Sequence, residues 1–171
     1  MKKQLFFIDA ESDGLYGRFL SVAALVTDEN GTELDSFYGA VKITEEEINS
    51  EWVRENVYPY LKNASVIFDS EKEMLEELWK FWLKHRENAD CVSYVPYPVE
   101  SRLFIACVAE STAERQLLAP FPMYDLATVL ELRGHHYDSD MQVLSGLDLV
   151  SHDAMNDVRM AAAVWRNLLT E

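Results

Sequence analysis

The sequence predicts an α/β fold in which one mixed β-sheet is flanked by helices. Two observations support this prediction. Residues 4–41 consist of apolar, strand-like runs separated by turns, and later residues contain longer stretches with helical spacing of apolar side chains. At about 150 residues per domain, the 171-residue length corresponds to one domain, so we expect a single domain over residues 1–171.

The first predicted unit is a three-stranded antiparallel meander. Residues 4–10 and 18–27 are compact apolar runs of strand length. The pair Asn30-Gly31 is typical of a hairpin turn, and residues 32–41 supply the returning strand. Residues 4–41 should therefore form three consecutive strands.

Two helices are predicted after the meander. Thr44 and Glu47 form a capping box, and the helix that follows should direct apolar side chains into the core: Ile48, Trp52 and Val53. Asp69 or Ser70 should cap the second helix. Its apolar stripe consists of Met74, Leu75, Leu78, Trp79 and Trp82.

The second half of the chain mixes strands and helices. Its predicted elements are a strand at 90–95, a helix at 99–110, a short strand at 123–126 leading into a helical turn to residue 132, a polar loop at 134–140 and a last helix at about 154–169. This order favours one mixed sheet with helices on its faces.

The charge restricts the function. The net charge of −15 excludes a basic coat protein for nucleic acid and a polybasic membrane binder. It does not exclude an enzyme acting on nucleic acid, because carboxylates bind metal ions that supply positive charge. Two cysteines are too few for a disulfide scaffold, and no apolar stretch approaches the ~18–20 residues of a membrane span. We therefore expect a cytoplasmic protein without membrane contact.

Paired carboxylates end the first predicted strand. Asp9 and Glu11 are two residues apart, so their side chains point to the same face of the sheet. Carboxylates this close repel each other, and the repulsion favours binding of a divalent cation. The alternative is a solvated strand end. The glycine at position 14 would let the following turn approach a ligand closely.

Three further residues, a His/Asp pair and a glutamate, are of types that can take part in catalysis. At 100° per residue, His152 and Asp157 would lie about 140° apart on one helix, so we place His152 on a loop and Asp157 in the first turns of the last helix. Glu100 lies one turn before the apolar pair Leu103 and Phe104. The alternatives are a capped amphipathic helix with an exposed His and Asp, and a first-turn glutamate that interacts with the helix dipole.

The acidic residues and the histidine described above match a known combination of motifs. D-x-E at Asp9 and Glu11, an acid before a buried pair at Glu100, and H-x-x-x-x-D at His152 and Asp157 resemble the three motifs of the DEDDh 3′–5′ exonucleases, which belong to the RNase H-like superfamily. The order of strands and helices agrees along nearly the whole chain. A lesser similarity, SEWVRENVYPYL at 50–61, is to the RNase AS-like exoribonuclease branch and favours RNA as substrate.

The resemblance implies an RNase H-like fold and hydrolysis of phosphodiester bonds from a 3′ end, with release of 5′-mononucleotides. Two divalent ions, Mg²⁺ or Mn²⁺, would assist. Asp9 would bridge both ions, Glu11 and Asp157 would complete the first metal site, and Glu100 would support the second. His152 would be the general base.

The resemblance also implies which residues bind the substrate, and several of them follow the first motif. Ser12, Asp13 and Gly14 stand where the family usually has Thr-Thr-Gly. Ser12, Gly14 and Leu15 are the predicted substrate-binding residues. Leu15, Tyr16 and Phe19 are candidates for a wedge that contacts the bases of the substrate. The alternative for Phe19 is packing in the core. Four arginines are the predicted phosphate contacts: Arg18, Arg54, Arg102 and Arg159. The predicted partner is therefore a short 3′ end of single-stranded nucleic acid.

Three alternatives stay open at this point. The chain could act on DNA. It could be a binding module derived from a nuclease and inactivated because Glu100 stands where the family usually has Asp. It could also be an acidic interaction domain in which the four carboxylates lie far apart. The aromatic residues Trp52, Tyr58 and Tyr60 could form a homodimer contact or belong to the core.

Overall fold

The computed structural model describes residues 4–170, which form a six-stranded mixed sheet with helices packed against it. The strands are β1 (Gln4–Ser12), β2 (Phe19–Asp28), β3 (Glu33–Val41), β4 (Val66–Phe68), β5 (Ala89–Ser93) and β6 (Met123–Asp125). The helices are α1 (Glu51–Asn56), α2 (Glu71–His85), α3 (Val99–Ala109), α4 (Thr112–Arg115), α5 (Leu126–Leu132), α6 (Met141–Ser145) and α7 (Ala154–Thr170). The predicted fold class is confirmed.

The sheet order is β4-β3-β2-β1-β5-β6. The strands β1, β2 and β3 pair antiparallel, which confirms the predicted meander. The strands β5 and β6 join the other side of β1 in parallel orientation, and β4 pairs parallel with β3. The pairing of β5 with β1 ends at Phe7, so the last residues of β1 have no strand neighbour on that side.

The alternation of β1 side chains assigns each residue to one face of the sheet. Phe6 and Ile8 pack into a cluster with α2 and α3. Leu5 and Phe7 pack into a second cluster with α7. Odd-numbered residues of β1 therefore face α7, and this is the face on which Asp9 lies.

The start of the first predicted helix is wrong. The capping box of Thr44 exists, but it caps one turn of 3-10 helix, Glu45–Glu47. The backbone is extended at Ile48, and α1 begins after Ser50, whose side chain accepts a hydrogen bond from the Val53 amide. This break changes the helical phase. Ile48 and Val53 are buried as predicted, whereas Trp52 is 51% exposed and does not belong to the core.

The second predicted helix is confirmed. Its cap is Ser70 rather than Asp69, because the Ser70 hydroxyl accepts a hydrogen bond from the Glu73 amide. All residues of the predicted stripe are buried. The prediction omitted four elements: the strand β4, the helices α4 and α6, and the 3-10 helix Tyr58–Asn63. Within residues 4–170, no helix combines the length and the apolar character needed to cross a membrane.

Candidate active site

The candidate site forms where β1 ends beside the start of α7. Asp9 and Glu11 are half-buried on the face of β1 that α7 covers. Asp157 lies in the first turn of α7. Glu11, His152 and Asp157 each offer one metal-ligand atom, and these three atoms lie within 4.8 Å of one another. The structure therefore brings the first and third sequence motifs together.

His152 lies on the loop before α7, as predicted from its spacing to Asp157. Its φ angle is +66°, a left-handed conformation that a non-glycine residue rarely adopts. The His152 backbone N–H donates a hydrogen bond of 2.9 Å to Oδ2 of Asp157. This bond fixes the backbone of residue 152 and leaves both nitrogens of the imidazole for other partners.

Glu100 approaches β1 from the face of the sheet on which α3 packs. It lies in the first turn of α3 and is only 5% exposed. Its Oε1 accepts a hydrogen bond of 3.3 Å from the Ala10 backbone N–H, at a point that β5 no longer covers. Glu100 is therefore not a solvated first-turn residue. Since the carboxylates converge, the structure contradicts the alternative of a coincidental motif with scattered acids.

Burial raises the pKa of all four carboxylates, and repulsion between them adds to this for Asp9, Glu11 and Asp157. Burial raises the pKa of Asp9 well above its usual value, and the charges of Glu100 and Asp153 add to this effect. Burial also raises the pKa of Glu11, and the charges of Asp9 and Asp157 raise it further. Burial also raises the pKa of Glu100 to about 7 and, together with the charge of Asp9, that of Asp157 to about 8. The cluster thus disfavours several negative charges at once.

This donor set fits divalent cations. Carboxylate oxygens are the ligands that Mg²⁺ and Mn²⁺ prefer. A bound cation would replace repulsion among the carboxylates by attraction, so they could ionise at neutral pH despite their raised pKa values. The residues that could hold metal are Asp9, Glu11, Glu100 and Asp157. Burial lowers the pKa of His152, which favours its neutral form.

Asp153 is a buried neighbour of the carboxylate cluster that the sequence motifs did not indicate. It is 4% exposed and accepts hydrogen bonds from Asn63 Nδ2 at 2.7 Å and from the Met155 amide at 3.1 Å. Its charge helps to raise the pKa of Asp9 and of Glu11. Asn63 is 90 residues away in the sequence, so no local pattern could have indicated this pair.

Asp13 has a structural role. Its carboxylate accepts three hydrogen bonds, from the backbone and the side-chain amide of Asn49 and from the backbone of Ser50, all at 2.8–2.9 Å. Burial opposes ionisation of Asp13, but these hydrogen bonds outweigh it and lower the pKa. Asp13 therefore connects the end of β1 to the start of α1.

The predicted phosphate contacts are engaged within the protein. Each of the four arginines donates hydrogen bonds to protein oxygens: Arg18 to the Glu47 carbonyl, Arg54 to the Ile48 carbonyl, Arg102 to the Gly17 carbonyl and Arg159 to the Glu33 carboxylate. The first three stabilise the loops around the site. Phosphate binding by any of them would have to compete with these bonds.

The predicted substrate-binding turn projects from the end of β1. The hydroxyl of Ser12 donates a hydrogen bond of 2.8 Å to the carbonyl of Gly14, whose φ is +75°. Leu15 and Tyr16 are 61% and 69% exposed. Phe19 is 1% exposed, so the core alternative is the correct one for this residue.

The site opens into a cavity of about 560 Å³. Its lining includes Asp9, Glu11, His152 and Asp157, together with Tyr94 and residues 138–142. This volume lies within the ~300–1,000 Å³ that is usual for small-molecule pockets. A terminal nucleotide is of suitable size for it.

Comparisons with protein-family models and with curated proteins give no match. Solved structures do match. The zinc-bound E. coli exonuclease I in complex with single-stranded DNA has a TM-score of 0.74 at 14% identity, with 99% of this chain and 41% of that chain covered. The exonuclease I of Methylocaldum szegediense has a TM-score of 0.71 at 14% identity, with coverage of 98% and 40%.

The chain thus spans about two fifths of the length of the exonuclease I chains that it matches. At these identities the likeness establishes the fold. The chain has the fold of exonuclease I, and the RNase H-like fold that the sequence motifs implied is thereby confirmed.

Proposed function

We propose that this protein is a metal-dependent 3′–5′ exonuclease that releases 5′-mononucleotides from single-stranded nucleic acid. One observation carries the proposal. Four carboxylates and one histidine from three separate parts of the sequence converge at the end of β1, beside a cavity of nucleotide size: Asp9, Glu11, Glu100, His152 and Asp157. The exonuclease fold supports the same conclusion.

We assign two divalent ions, Mg²⁺ or Mn²⁺, to this cluster. Asp9 would contact both ions, Glu11 and Asp157 would hold one, and Glu100 would support the other. When bound, the ions neutralise charge on the scissile phosphate and make a water molecule more acidic. The raised pKa values of the four carboxylates support this assignment, because such a cluster becomes stable as four anions only with added positive charge.

The proposed role of His152 is to accept the proton of the attacking water. The neutral imidazole required for this role is favoured by burial, which lowers the pKa of His152. The backbone bond to Asp157 holds residue 152 without occupying a ring nitrogen. Both features suit a general base at neutral pH.

The substrate would be bound mainly by stacking and by the metal ions. The net charge is −15, and the arginines near the site are engaged by protein oxygens. Exposed Leu15 and Tyr16 can contact bases, and stacking contributes about 1–3 kcal/mol per base. We therefore propose a short footprint on the last few nucleotides.

RNA is the proposed substrate, and DNA is the second candidate. The support for RNA is the similarity of residues 50–61 to the RNase AS-like branch. The support for DNA is that a solved neighbour is exonuclease I in complex with single-stranded DNA. We also propose a cytoplasmic location, consistent with two free, buried cysteines, Cys91 and Cys107. The predicted homodimer stays a prediction.

The test is degradation of matched, 5′-labelled RNA and DNA oligonucleotides with Mg²⁺ or Mn²⁺. We expect a ladder that shortens from the 3′ end, that EDTA abolishes and that Asp9→Asn lacks. A faster rate on RNA would support the RNA assignment, whereas equal or faster cleavage of DNA would reject it. A folded protein that binds oligonucleotide but shows no ladder with either metal would instead be the inactive binding module.

A further inference from the structure

His152 adopts a backbone conformation that its surroundings must hold. Among residues 4–170, it is the one non-glycine residue with positive φ. Residues in such conformations persist when neighbouring structure fixes them. The hydrogen bond to Asp157 fixes the backbone, but it does not determine the orientation of the imidazole.

The imidazole has an aromatic neighbour, Trp52. The ring centroids of Trp52 and His152 are 4.8 Å apart, and the ring planes meet at 82°, an edge-to-face contact. Edge-to-face contacts are a preferred geometry for aromatic pairs. Trp52 is 51% exposed, so its placement is not explained by burial in the core.

Hydrogen bonds connect the helix that carries Trp52 to the end of β1. Asp13, two residues after Glu11, accepts hydrogen bonds from Asn49 and from Ser50. Ser50 then caps α1 by accepting a hydrogen bond from the Val53 amide. The helix that carries Trp52 is thereby fixed to the end of β1.

A second connection joins the same segment to the histidine loop. Asn63, the last residue of the 3-10 helix Tyr58–Asn63, donates its side-chain hydrogen bond of 2.7 Å to Asp153. Asp153 is buried and directly follows His152. Segment 49–63 therefore contacts Asp13, directly after β1, at one end, and residues 152 and 153 at two other points.

We infer that Trp52 is a positioning residue that fixes the imidazole of His152 relative to Glu11 and Asp157. Segment 49–63 is the rigid support that makes this possible. The inference rests on the proposed function, since it concerns the same site. The competing role for an exposed indole is direct contact with a substrate base, and the two roles differ in their kinetics.

The kinetic test compares Trp52→Ala and Trp52→Phe with Phe121→Ala, a control at a 98% exposed aromatic residue. The substrates are a labelled RNA oligonucleotide and the p-nitrophenyl ester of uridine 5′-monophosphate, which carries no neighbouring base. A positioning role predicts that Trp52→Ala lowers kcat about 10–100-fold on both substrates. KM should change less than about twofold, and Trp52→Phe should recover most of the rate. In a His152→Ala background, Trp52→Ala should cause no further loss of kcat.

Two kinetic results would overturn the inference. The first is a raised KM on the oligonucleotide alone with kcat unchanged, which would make Trp52 a substrate contact. The second is an equal loss of kcat in the His152→Ala background, because Trp52 would then act independently of His152.

An NMR measurement tests the contact without activity. The imidazole proton signals of His152, assigned with His152→Gln, should shift in Trp52→Ala and stay unchanged in Phe121→Ala. Unmoved His152 signals in Trp52→Ala would overturn the inference. An inactive wild-type protein in which these signals do shift would reject the proposed function but still support the positioning contact.

Discussion

The backbone N–H of His152 donates a 2.9 Å hydrogen bond to the carboxylate of Asp157, five residues further along the chain. The bond connects the loop that carries the proposed base to the first turn of α7, which carries a proposed metal ligand. A change in the charge of Asp157 is therefore transmitted directly to the backbone of His152. The same carboxylate interacts with Asp9 on β1.

Asp9→Asn should affect activity and stability in opposite directions. The substitution removes a proposed metal ligand, so we expect metal-dependent cleavage to fall at least about 1,000-fold. It also removes one buried negative charge, so the metal-free protein should become more stable at pH 8. Thermal unfolding in EDTA measures the second effect. Asp69→Asn, at an exposed acid, is the control, and a lower Tm for Asp9→Asn than for the control would contradict this account of the cluster.

The metal-free protein should lose stability as the pH rises. The folded-state pKa values of Glu100 and Asp157, about 7 and about 8, lie above those of an unfolded chain, near 4. Between these values the folded state binds more protons than the unfolded state, so its stability is full below about pH 4 and declines up to about pH 8. We expect the unfolding free energy to fall by several kcal/mol over this range.

Urea denaturation in EDTA at pH 5 and pH 8 measures this loss. Addition of Mn²⁺ should cancel it, because the cation binds the ionised carboxylates of the folded state. A metal-free protein that is equally stable at both pH values would show that the carboxylates do not share a dehydrated site.

Glu100 should be sensitive to length as well as to charge. Its carboxylate reaches the Ala10 amide at 3.3 Å, so Glu100→Asp should withdraw it from β1 and lower kcat about 10–100-fold. Glu100→Gln keeps the oxygen that accepts this hydrogen bond but removes the charge, and should lower activity while stabilising the metal-free protein. Cleavage rates measure the effect of each substitution on activity, and Tm in EDTA measures its effect on stability. A gain of activity in Glu100→Asp would show that glutamate is the defect of an impaired nuclease.

Leu15 and Tyr16 should matter for longer substrates only. Both are exposed on the turn after β1, where Tyr16 could stack on a base and Leu15 could make an apolar contact with one. Replacement of either by Ala should raise KM for an oligonucleotide about 5–100-fold, which corresponds to about 1–3 kcal/mol. The rate on the p-nitrophenyl ester of uridine 5′-monophosphate should stay within about twofold of wild type. Equal losses on both substrates would place these residues at the reaction centre instead.

Features that depend on local spacing were predicted from the sequence. The period of two places Asp9 and Glu11 on one face because a strand alternates its side chains wherever it lies. The five-residue spacing of His152 and Asp157 requires a loop because a helix would separate the two side chains. The stripe on α2 is correct for the same reason, since its spacing is a property of one uninterrupted helix. Trp52 was predicted wrongly because a break at residues 48–50 changed the helical phase.

The tertiary structure alone decided what surrounds these residues. The sequence established the fold class, the strand with its paired acids and the candidate metal ligands. It did not indicate that Glu100 bonds to the backbone of β1, that Asp153 pairs with Asn63 or that Arg102 bonds to the carbonyl of Gly17. Each of these contacts joins residues that are tens of positions apart. Such contacts depend on where β5 ends and how the loops pack, which no local periodicity encodes.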